Sequence, residues 1–178
     1  HKAVDVLEHQ DKMYVHSYVH ALANLGYCLD VAKRNDEAKR YLDHAVAIAR
    51  DSLKPTDNAA LEVMNSQAYN YSYRGDYGKA IEIMYEVVQR TREASPESPN
   101  LAVRLAALSY FYAAIENYEG AINVTQEVLQ LYKKFYGEDS FNYNDLGQRL
   151  GNYYRESGRV AEALPYHHRA GEVGEKTY

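Results

Sequence analysis

The sequence contains no tryptophan, one cysteine and only four prolines in 178 residues. A single thiol, Cys28, excludes an internal disulfide and a multi-cysteine metal site. It fits a reducing compartment, so a cytoplasmic setting is expected. No apolar run approaches the ~18–20 residues of a membrane span, and the first residues do not read as a secretion signal. Excess positive charge is missing too. Twenty Lys and Arg stand against 25 Asp and Glu, for a net charge of −5. A nucleic-acid binder would show a basic stripe instead. No GxSxG, P-loop, GxGxxG or HExxH motif occurs. The chain opens on His1 rather than methionine, which reads as a piece of something longer.

What the sequence does have is tyrosine, 19 in all, and 46% apolar residues. Tyrosine joins a large apolar ring to a hydroxyl that needs a partner or water. So many of them predict packing faces that grade into a wet recognition surface. The chain also repeats itself. Ala38, Ala80, Ala121 and Ala163 recur at intervals of 42, 41 and 42 residues. Twelve residues before each stands a small residue: Gly26, Ala68, Ser109, Gly151. Nine before comes a large one: Leu29, Tyr71, Tyr112, Tyr154. Seven after comes Ala45, Val87, Val128 or Ala170. Residues three apart share one face of a helix, so the small residue admits a second helix and the large one fills the space beside it.

Turn signals lie between these columns at Arg74-Gly75-Asp76, Ile115-Glu116-Asn117 and Glu156-Ser157-Gly158, where Gly or Asn can end a helix in a left-handed conformation. Lys33-Arg34-Asn35-Asp36 fills that place less cleanly in the first repeat. Ser98-Pro99, Thr56-Asp57-Asn58 and Asp139-Ser140 read as helix starts. The pattern predicts first helices over about 17–32, 58–73, 99–115 and 141–156, and second helices over about 36–53, 77–94, 118–135 and 160–176. The expected repeats span 17–57, 58–98, 99–139 and 140–178. Residues 1–14, with Ala3-Val4-Asp5-Val6-Leu7, are expected to be the tail of a preceding second helix. Two features depart from the pattern: Thr125 and His167 stand where other repeats have Leu42 and Met84, and Pro165 falls inside the last helix.

Asn24-Leu25-Gly26, Glu37-Ala38, Tyr41-Leu42 and Ala45 resemble the tetratricopeptide signature, as does Arg74-Gly75-Asp76-Tyr77 with Ala80. The usual unit is about 34 residues; the longer period here resembles kinesin-light-chain repeats, and so does Tyr136-Gly137-Glu138-Asp139-Ser140 followed by Leu146-Gly147. The resemblance implies an all-α fold: a right-handed α-α superhelix of four helix-turn-helix repeats, one solenoid over 1–178, plus a partial N-terminal helix. First helices would line its concave side. By the same resemblance, ligand-facing positions are Ala23, Tyr27, Asp30 and Val31; Asn65, Tyr69, Ser72 and Tyr73; Ala106, Tyr110, Ala113 and Ala114; and Gln148, Asn152, Arg155 and Glu156. Tyr27, Asn65, Tyr69, Tyr73, Tyr110, Gln148, Asn152 and Arg155 are the candidate contacts for a protein or peptide ligand. A Lys/Asn/Arg clamp for a terminal carboxylate, as in chaperone-tail binders, does not fit a surface that begins with Ala23 and Tyr27.

Other chemistry weighs little beside this. His16 and His20 stand four apart, yet no third metal ligand is evident from the sequence. Cys28, among Tyr27, Leu29 and Val31, reads as a buried apolar spacer. Glu138-Asp139 read as solvated caps, and Lys33-Arg34 with Lys39-Arg40 as a solvated face. The function expected is a non-catalytic protein-interaction module without cofactor or metal. The alternatives are a sensor segment of a larger signalling protein, or a scaffold that self-assembles through uncapped repeat ends into a homo-oligomer.

Overall fold

The computed structural model describes the backbone of residues 2–175 and the side chains of 13–169. Among the described residues there are eight helices and no strand. They run α1 (Lys2–Val31), α2 (Asn35–Ser52), α3 (Asn58–Tyr73), α4 (Tyr77–Ala94), α5 (Pro99–Ala114), α6 (Tyr118–Tyr136), α7 (Phe141–Glu156) and α8 (Val160–Glu175). The chain divides into two compact units, residues 1–94 and 95–178. Each holds two helix-turn-helix pairs.

Helix starts follow the caps read in the sequence. The Ser98 hydroxyl accepts from the Leu101 amide, with Pro99 at the first helical position. Asp57 accepts from Ala59 and Ser140 from Tyr143. Each removes one of the unpaired amides that open a helix. At the turns, Gly75 and Gly158 take the left-handed conformation expected of them, with φ of 80° and 82°. The third turn differs. Glu116 adopts φ 59°, while Asn117 caps α6 by accepting from the Gly120 amide. Lys33 does the corresponding work after α1, at φ 62°.

A second difference is α1 itself. It runs unbroken from Lys2 to Val31, where a helix tail ending near residue 14 and a fresh start at 17 were expected. No glycine or proline stands between Lys2 and Gly26 to interrupt it. Helix α8 likewise continues through Pro165.

In unit 1, α1 packs on α2 and α3, and α3 on α4. Its core includes Val19, Leu29, Ala38, Leu42, Val63, Ala68, Ala80, Met84 and Val87. In unit 2, α5 packs on α6, α6 on α7 and α7 on α8, around Leu101, Leu105, Phe111, Ala121, Ile122, Val128 and Leu150. The repeating alanines 38, 80, 121 and 163 are all at most 2% exposed. At the two glycines of the small column, the residue four places after the alanine is the near neighbour. A Cβ built on Gly26 would sit 2.7 Å from Cγ and Cδ2 of Leu42, and one on Gly151 3.0 Å from Nε2 of His167. Ala170 lies outside the described side chains.

His167 occupies the Leu42 position with a ring nitrogen, Nε2, that is buried and has no hydrogen-bond partner among the described residues. A buried polar atom left unpaired costs about 1–3 kcal/mol. His167→Met restores the apolar character of the column and is expected to raise stability by about 1 kcal/mol. The check is the urea midpoint by far-UV circular dichroism; a variant less stable than the parent would show that the imidazole contributes through a contact other than this one.

Candidate functional site

The candidate contacts in unit 1 converge. Tyr27 on α1 and Asn65, Tyr69 and Tyr73 on α3 line one cavity of about 240 Å³, together with Asn24, Asp30 and Ser66. The direct packing of α1 on α3 makes it. Tyr27 and Tyr73 are about half exposed, at 59% and 50%. The Tyr69 and Tyr73 rings lie 6.3 Å apart at 32°. Two aromatic residues four apart on α3 thus present their faces beside each other, as spacing on a helix dictates.

The floor is polar. Asp30 is 4% exposed and Asn70 fully buried. The Asn70 amide donates to Asp30 Oδ1 at 2.7 Å and to the Asn35 carbonyl at 3.0 Å, tying α3 to α1 and to the start of α2. Burial pushes the Asp30 carboxyl above its ordinary value, against the opposing pull of the Asn70 hydrogen bond and of the Arg74 charge. Ala23, Asp30 and Ser72 were expected to face a ligand; all three are buried, and of them Asp30 alone lines the cavity. Ser72 donates to the Tyr69 carbonyl.

In unit 2 the candidate contacts stay on the surface. Tyr110 on α5 is half exposed, its ring edge-on to Phe111 at 5.9 Å. Gln148, Asn152 and Arg155 are exposed along α7, and Arg155 pairs with Glu156 at 2.8 Å. The large cavity of this unit, about 450 Å³, lies elsewhere, among Leu129, Tyr143, Asn144, Gly147, Tyr166 and Arg169. Arg169 organises its rim. It lies 5.2 Å from the Tyr143 ring centroid, donates to Asn144 Oδ1 at 3.2 Å and reaches the Glu138 carbonyl at 2.9 Å. Glu138 was read as a solvated cap. It is instead held by Lys133 and Arg169, whose hydrogen bonds draw its carboxyl below the ordinary value. An arginine 31 residues away leaves no local sequence signal for that clamp.

Three other expectations meet the structure. Cys28 is exposed rather than buried. It shares its repeat position with Asn70 and Phe111, both fully buried. His16 and His20 pair with carboxylates of the α3 segment, His16 with Asp57 at 2.8 Å and His20 with Glu62 at 3.2 Å. Lys39 and Lys79 lie over the Tyr71 ring at 5.7 and 5.3 Å, and Arg159 over Tyr154 at 4.8 Å. The large-residue column therefore also seats cations.

Residues 18–93 match the tetratricopeptide repeat family model. That segment belongs to the tetratricopeptide repeat family. No curated protein matches the sequence. Solved structures extend the fold to nearly the whole chain. A kinesin light chain from Podosopora anserina with nearly identical tetratricopeptide-like repeats superposes with a TM-score of 0.83 at 20% identity, covering 92% of this chain and 78% of that one. BtubC from P. vanneervenii gives 0.81 at 15% identity, covering 89% and 64%. A signal-transduction ATPase with numerous domains from Pyrococcus horikoshii, which carries a tetratricopeptide repeat sensor, gives 0.76 at 18% identity. This chain covers 24% of its length, and 89% of this chain is matched. No helix among the described residues is long and apolar enough to cross a membrane.

Proposed function

We propose that the chain is a non-catalytic tetratricopeptide repeat module that holds a peptide or protein segment, and that the α1/α3 surface of unit 1 is its principal contact. One observation carries this reading: Tyr27, Asn65, Tyr69 and Tyr73 come from two helices to line a single cavity. Rigid tyrosines bind at low entropic cost, and amides can pair with a bound backbone. The exposed Tyr110, Gln148, Asn152 and Arg155 of unit 2 would form a second, shallower contact surface. Tyr69→Ala and Tyr73→Ala are each expected to weaken an identified partner about tenfold or more, with helical content unchanged. Isothermal titration with that partner is the check, and undiminished affinity in both variants would dismiss the assignment.

A second reading is a sensor segment within a larger signalling protein. The likeness to the sensor-bearing ATPase, of which this chain matches about a quarter, supports it. The reading frame on either side of residues 1–178 separates the two.

A further inference from the structure

Asp30 stands where an anion is least welcome. It lies in the last turn of α1, at the negative end of the helix dipole, and it is 4% exposed. A buried carboxylate normally has a cation or several donors around it. Among the described residues its side chain has one hydrogen-bond partner, Asn70, and no Lys, Arg or His nitrogen within ion-pairing distance. Arg74, whose charge reaches Asp30, is itself bonded to Asp36. Yet Asp30 opens into a cavity walled by Tyr27, Tyr69 and Tyr73, with Asn24, Asn65 and Ser66 on its rim. Aromatic faces attract cations, and the side-chain oxygens of the rim accept hydrogen bonds.

At about 240 Å³ the space is below the usual range for a drug-sized ligand and suits one long side chain. The chain's net charge of −5 favours a cation approaching it. We propose that this cavity receives a cationic side chain, arginine foremost, of the protein segment the module binds. Arginine is preferred to lysine because its planar fork can lie on a tyrosine face while donating to Asp30 and to a rim oxygen at once. The inference rests on the module reading and names the chemistry of its partner at that site.

The test is a titration of the full chain with Nα-acetyl-arginine amide, followed by amide NMR shifts. Nα-acetyl-citrulline amide, alike in shape but uncharged, is the control. Saturable shifts are expected at Asn24, Asn65, Ser66, Tyr69 and Tyr73, with citrulline binding about tenfold more weakly. Asp30→Asn is expected to abolish the arginine preference while leaving the unfolding midpoint at neutral pH unchanged or raised, since it removes a buried charge. Tyr73→Leu keeps apolar bulk on a half-exposed position and is expected to weaken arginine by removing the ring face. Equal binding of arginine and citrulline, or an arginine preference that survives Asp30→Asn, would overturn the proposal. A partner lost on Tyr73→Ala but indifferent to Arg→Gln and Lys→Gln changes in its own bound segment would overturn it too, and would leave the module reading standing.

Discussion

Gly26→Ala is expected to destabilise unit 1 by about 1–3 kcal/mol, read as a lower urea midpoint at constant slope. On helix propensity alone the same change would stabilise by about 1 kcal/mol, so the sign depends on space. The added methyl would meet Leu42 at 2.7 Å from both Cγ and Cδ2 and 3.1 Å from Cδ1. A terminal methyl can swing aside by a χ2 change, but the branch carbon moves only by a change of χ1 or a shift of the helix. Leu42 has nowhere to go, being fully buried. Leu42→Ala alone should cost about 2–5 kcal/mol through lost burial and the cavity it leaves. The double variant should be less damaged than the two losses combined, by about 0.5–3 kcal/mol, because the new methyl enters the space vacated. Additive losses, or a Gly26→Ala protein as stable as the parent, would mean that the helices are free to separate. Gly151→Ala should be milder, since its nearest contacts lie at 3.0–3.1 Å and are led by the ring edge of His167.

The periodic contact explains why so much of the fold is legible. Helices expected over 58–73, 77–94 and 141–156 are found as Asn58–Tyr73, Tyr77–Ala94 and Phe141–Glu156, because glycines and caps mark their ends chemically. Where the marker was a conformation rather than a residue type, legibility failed. Nothing about Glu116 or Lys33 announces a left-handed turn, which costs such residues about 1–2 kcal/mol and is held by the helices on either side.

The candidate site was half legible for a geometric reason. At about 100° per residue, positions 23 and 30 fall on one edge of the stripe that 23, 27, 30 and 31 form on α1, and 27 and 31 on the other. The first edge is buried where Asp30 meets Asn70, with Ala23 at 5% exposure and Asp30 at 4%. The second carries Tyr27 and Val31, at 59% and 61%. A resemblance transfers the whole stripe; only packing shows which edge closes. It also hides that one repeat position holds Asn70 in unit 1 and Phe111 in unit 2, a hydrogen-bonded junction in one and an aromatic one in the other.

That polar junction makes the last expectation dependent on pH. Asn70→Ala removes both amide bonds and strands the Asp30 carboxylate, and should cost about 2–4 kcal/mol at neutral pH. In the parent protein, burial already raises the Asp30 carboxyl above its ordinary value, and the Asn70 hydrogen bond holds it partly back. A carboxyl raised on folding stabilises the fold at pH below its unfolded value and loses that contribution as pH climbs through the folded one. Without Asn70 the folded value moves higher still. The deficit relative to the parent should therefore widen as pH rises from about 4 towards 7, and close as Asp30 protonates in both proteins. Paired urea titrations at a series of pH values measure it, and a second copy of the series in the Asp30→Asn background should be flat. Arg74 and Asp36 are present in every variant, so their charges cancel from the comparison. If the Asn70→Ala loss is the same at every pH, the amide stabilises the junction by filling space and bonding the Asn35 carbonyl, and the Asp30 charge is solvated by something other than Asn70.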